Sequence, residues 1–114
     1  MATTTTKIAV TACDNEAYLL VVGFGTGGGP TAVGSAEISH IQWGGGGAPV
    51  NTNIIPQTIL PKGEYTLIMI LVNWGGPSAL VVTLTFSSGP PKTFTAPTNL
   101  PAGGVWSEAV TITV

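Results

Sequence analysis

The chain has 114 residues with a formal net charge of -2, and only 7% of its residues are charged, against roughly 25% in an ordinary soluble domain. This length gives one domain with one sizeable core, residues 1-114, of which 1-6 form a Thr-rich extended arm. Three lysines and no arginine leave nothing to neutralise a run of phosphates, so neither nucleic acid nor an anionic membrane surface is an expected partner.

The opening MATTTTKIAV lacks a charged leader and an apolar core segment, so no secretory signal peptide is predicted. Further along, short Val/Ile/Thr/Leu runs alternate with Gly, Pro and Asn, and no window carries an apolar helical period. The pattern predicts an all-β chain with strands at Thr5 to Ala12, Ala17 to Phe24, Ala36 to Trp43, Asn51 to Leu60, Glu64 to Asn73, Ala79 to Phe86, Lys92 to Ala96 and Glu108 to Val114. Asp14 and Glu16 fall between the first two strands, where they cap a turn or, less simply, offer oxygens to Ca²⁺. Two glycine tracts, Gly23 to Gly34 and Gly44 to Gly47, flank the third strand as long loops at one end of the molecule.

The uncharged stretch from Tyr65 to Pro91 is interrupted by Asn73-Trp74-Gly75-Gly76-Pro77, and reads as two strands joined by a turn rather than a membrane span. Within it Leu67 to Val72 is apolar on both faces, as is Ala79 to Val82, so both strands should be covered on both sides. A two-layer sandwich covers only one face of each sheet, so a loop, a helix or another subunit is needed over the outer face, a first hint of association. The last strand alternates instead: Val110, Ile112 and Val114 lie on one face, Thr111 and Thr113 on the other.

Candidate chemistry is thin. One histidine, one cysteine and five carboxylates supply no catalytic motif, and the expectation is a protein that is not an enzyme and has no cofactor or metal. Glu37, Ser39, His40, Gln42 and Trp43 share a strand, but adjacent residues there face opposite ways, so Ser39 and His40 cannot act as nucleophile and base. His40 reads as a hydrogen-bonded or interface histidine. Cys13 has no partner for a disulfide and reads as a small buried hydrophobe. Sugar binding asks for less, because an exposed indole stacks on the C–H face of a pyranose while amides bind its hydroxyls. Trp43, Trp74 and Trp106, with Asn51, Asn53 and Asn73 near them in sequence, are the candidate sugar or partner contacts.

Two stretches carry a family resemblance. Val10-Thr11-Ala12, followed by Asp14-Asn15-Glu16-Ala17-Tyr18-Leu19-Leu20-Val21-Val22-Gly23, resembles the acidic-turn-plus-strand signature of the galactose-binding-domain-like jelly-roll β-sandwich superfamily. Leu60-Pro61-Lys62-Gly63-Glu64, leading to Asn73-Trp74-Gly75-Gly76-Pro77-Ser78-Ala79-Leu80, is similar to a hairpin of that superfamily. The resemblance implies an antiparallel jelly-roll β-sandwich of about eight strands, used as a carbohydrate-binding or adhesive module and found in virion proteins. Ala17 and Leu20 stand where the family has aromatics, and Val22 where it has asparagine. Both motifs are structural, so no binding residue is transferred.

Taken together, the sequence leads to a non-enzymatic structural protein, a decoration or cement protein of a viral (phage) capsid or similar particle, located on the virion or in the cytoplasm. It would homo-oligomerise and contact the particle's protein subunits through apolar strand faces and an N-terminal arm, Thr3, Thr4, Thr5 and Thr6, that adds to a sheet edge. The alternative is a small soluble lectin or adhesin that binds carbohydrate through its loop tryptophans.

Overall fold

A computed structural model describes residues 3–25, 32–44 and 51–114. The described chain is all-β and antiparallel, with β1 (Thr5–Gly25), β2 (Ala32–Gly44), β3 (Thr52–Ile54), β4 (Gly63–Val72), β5 (Ala79–Phe86), β6 (Lys92–Thr95) and β7 (Val105–Thr113). Seven strands stand where about eight are expected, because the first two predicted strands are one. β1 runs for 21 residues straight through the expected turn at Asp14 to Glu16. Asn15 takes a left-handed φ of 77° there and the register with β2 slips between Asn15 and Ala17. Asn is among the few residues that adopt this conformation cheaply, and an irregularity of this kind lets a strand bend without ending.

The bend organises the whole sheet. The first half of β1 pairs with β5 and β3, and β5 with β6; the second half pairs with β2 and β4, and β4 with β7. A single curled sheet results, and its two halves feed one core: Ile8, Val10, Leu80, Val82, Leu84 and Phe94 from the first, Leu19, Val21, Tyr65, Leu67, Met69, Leu71 and Ile112 from the second. Each fully buried Leu, Ile or Met contributes about 1.5–3 kcal/mol relative to exposure.

Several other boundaries move for identifiable reasons. The predicted strand Asn51 to Leu60 shrinks to β3, because Pro56, which cannot donate to a ladder, opens a 3-10 turn over Pro56–Thr58. β4 and β5 form no hairpin; the link from Asn73 to Ser78 carries the chain from one half of the sheet to the other. Gly34 lies near the start of β2 and Gly44 at its end. Of the expected loops, residues 26–31 of the first tract and 45–47 of the second lie outside the described residues.

The double covering expected of β4 is absent within the described chain. Leu67, Met69 and Leu71 are buried, while Ile68, Ile70 and Val72 on the reverse face are only half-buried and belong to no core cluster. β5 shows the same contrast, with Leu80 and Val82 buried and Val81 half-buried. Residues directly paired across a sheet point to the same face, so the outer face of the second half reads in rows: Leu20–Ile68–Ala109, Tyr18–Ile70–Ser107, Val22–Thr66–Thr111 and Glu16–Val72–Val105. Val22 is 42% exposed and Val105 60%.

Candidate functional site

The bend in β1 builds the densest cluster of side-chain hydrogen bonds among the described residues. Asn15 is buried, and its side chain ties the bend to the β4–β5 link: Nδ2 faces the Oδ1 of Asn73 at 3.0 Å and the carbonyls of Gly75 and Pro77 at 2.8 and 3.3 Å. Its Oδ1 accepts the backbone N–H of Trp74 at 2.9 Å. Asn73 is saturated in turn, since Oδ1 also accepts from the Gly75 N–H and Nδ2 donates to the carbonyls of Gly76 and Leu100. The candidate sugar contact Asn73 is thus 1% exposed and fully engaged in holding its loop. Beside it Ser78 is buried with its hydroxyl unpaired.

One residue beyond the bend, Glu16 is buried beneath two rings. Trp74 Nε1 donates to Glu16 Oε1 at 2.8 Å, and His40 Nε2 donates to Oε2 at 2.7 Å. A carboxylate only accepts, so the His40 proton sits on Nε2. The register places His40 opposite Tyr18, and their rings stack 4.3 Å apart at 12°. His40 Nδ1 lies 3.5 Å from Glu37 Oε1. These contacts hold the Glu16 carboxyl below the usual carboxylate range, the His40 bond contributing most and the Trp74 bond next, against the opposing effect of burial. Burial, and then the neighbouring Glu16, pushes the Tyr18 hydroxyl up. His40 is a hydrogen-bonded histidine, as its isolation in the sequence favours.

The other candidates are scattered. Trp74 is 60% exposed, with its ring N–H fixed on Glu16. Trp106 is half-buried on the core side of β7 opposite Leu71. The Trp43 side chain lies outside the described residues. Asn51 and Asn53 are exposed at β3 and bond to each other at 3.1 Å.

The Thr-rich arm is occupied within its own chain from Thr3 onward. Thr5 and Thr6 belong to β1, Ser87 N–H donates to the Thr4 carbonyl at 2.8 Å, and Thr3 Oγ1 meets Ser88 Oγ at 3.4 Å. Cys13 is buried as expected, and burial, then Asp14, pushes its thiol up to about 11. Among the described residues no three His, Cys, Asp or Glu side chains group as metal ligands, and no helix is long and apolar enough to cross a membrane.

Sequence reasoning missed Asn15 and Tyr18. The signal for Asn15 was an Asn flanked by two acids between apolar runs, which fits a bend in a continuing strand as well as a turn. Comparison with protein-family models, curated proteins and solved structures finds no match to this chain.

Proposed function

We propose that the protein is a non-enzymatic assembly component that decorates or cements a larger protein particle, of which a phage capsid is the model. The observation that carries this reading is the outer face of β1, β4 and β7, where Leu20, Val22, Ile68, Ile70, Val72, Val105 and Ala109 form contiguous rows that join no core. A surface patch this apolar fits a partner better than solvent. Because Thr3 to Thr6 are engaged by their own chain, the reading rests on this face and not on the arm. The jelly-roll sandwich belongs to the same proposal, supported by the way both halves of the sheet turn one face to a common core.

Sedimentation of the native source, with mass spectrometry of the fractions, tests it. The chain should travel with large particles at fixed stoichiometry, and an Ile68→Lys variant of unchanged circular dichroism should fail to join them. Recovery of the wild type only as a small free species would refute the reading.

A second reading, carbohydrate binding, is favoured by Trp74, whose exposed ring is held at one edge by Glu16 beside His40. Under it, Trp74→Ala abolishes saturable glycan binding in a glycan screen without unfolding the domain.

A further inference from the structure

The four outer strands of the sheet do not guard their free edges equally. β3 has three residues. β6 has four, opening at Lys92 directly after Pro90 and Pro91. β2 meets β1 with three register irregularities and carries Glu37 and His40. Shortness, proline, charge and irregularity are the ordinary means by which a sheet edge avoids pairing with another chain. β7 has almost none of them: its register with β4 is unbroken from Val105 to Thr113, it contains no proline, and Glu108 is its only charge.

The hydrogen-bond phase of β7 is also determined. Gly63 and Val114 exchange both backbone bonds, at 3.0 and 2.8 Å. Alternation in an antiparallel ladder then turns the backbone groups of Trp106, Glu108, Val110 and Ile112 toward β4, and those of Val105, Ser107, Ala109, Thr111 and Thr113 toward the open edge. This outward set is symmetric about Ala109.

We infer that β7 is a self-pairing edge, on which a second copy of this chain adds its own β7 antiparallel about a two-fold axis at Ala109. In that register Ala109 meets its own copy, Ser107 meets Thr111 and Val105 meets Thr113, so every outward N–H and C=O finds a partner. No other register satisfies the whole set. On the core side Trp106 comes opposite Ile112 of the second copy, an aromatic with a β-branched residue, which is a favourable cross-strand pair. On the outer side the two apolar faces join into one wider sheet. The only opposing feature is Glu108, which falls diagonal to its own copy. The inference rests on the assembly reading, which it extends by naming the first contact made. A strand-edge contact of this size belongs to the small, transient class, so monomer and dimer should exchange at micromolar concentrations.

Sedimentation equilibrium of the full chain over a range of concentrations tests the pairing. Wild type should show reversible monomer–dimer exchange. Ala109→Pro should be monomeric with unchanged circular dichroism, because the N–H it removes points away from β4, the setting in which a strand tolerates proline. Glu108→Thr should tighten the dimer by about threefold, the scale of a relieved like-charge neighbour; misfolding cannot imitate this gain. A wild type that is monomeric throughout, or a dimer that survives Ala109→Pro unchanged, overturns the self-pairing. Particle sedimentation of the wild type, set beside these measurements, separates the two readings: a wild type that is monomeric throughout yet joins particles disposes of the self-pairing alone, and a wild-type dimer that never joins them disposes of the assembly reading alone.

Discussion

Replacing Asn15 by Ala should be among the most damaging polar substitutions in this chain. The side chain offers two amide hydrogens to three carbonyl acceptors and accepts one backbone N–H, so about three hydrogen bonds are lost, each worth about 1 kcal/mol net. The left-handed φ of 77° adds about 1 kcal/mol for Ala that Asn largely escapes. Water reaching the exposed Gly75 and Pro77 offsets part of the loss, which leaves about 3 kcal/mol. Urea unfolding with a shared slope measures it, and Asn15→Gly should recover about 1 kcal/mol because glycine is unstrained at that φ. Ser78→Ala, in the link that Asn15 holds, removes a buried hydroxyl that has no partner and should be neutral or stabilising. A loss under about 1 kcal/mol for Asn15→Ala, or equal losses for Ala and Gly, would refute the account of the bend.

Further outcomes follow from the same geometry. Glu16 is held below its unfolded-state pKa, so its stabilisation is complete above the ordinary carboxylate range and fades as the pH falls through the folded value. Glu16→Gln should therefore be less stable than wild type at neutral pH, with the gap closing in acid, as read by melting at a series of pH values. Cys13, buried with its pKa near 11, should ignore a thiol reagent at mildly alkaline pH until the protein is unfolded in urea. At Gly23 a Cβ would lie 2.8 Å from the Glu64 carbonyl and 2.9 Å from the Tyr65 ring, so Gly23→Ala should cost about 2 kcal/mol in the same urea assay.

The strands were legible where the apolar period was long and uninterrupted. β4 and β5 lie within a residue of their predicted spans, because Gly63 and the Asn73-Trp74-Gly75-Gly76-Pro77 link punctuate them chemically. The β1 bend was not, because Asp-Asn-Glu suits a turn and a left-handed kink equally, and only pairing with β2, β4 and β5 decides between them. For the same reason the Glu16, His40, Tyr18 and Trp74 cluster was invisible: its members are separated by 24 and 58 residues in its two closest bonds, and register alone brings them together. The apolar reverse face of β4 could be read directly from Ile68, Ile70 and Val72. What covers it could not, since hydrophobicity is non-directional and names no partner.

A strand that serves both halves of the sheet also sets how the chain reaches its native state. β1 pairs with β2, β3, β4 and β5, with partners as distant as Thr5 and Phe86. The hairpin with β2 is its only connection to the strand next in sequence, so most of its pairing awaits closure of long loops before any contact rewards it. Refolding should accordingly be slow for a chain this size, in the millisecond-to-second range of β-rich domains. During synthesis a 21-residue strand emerges ahead of most of its partners, and until β4 and β5 arrive, the half-made chain displays its longest apolar template to every other chain nearby.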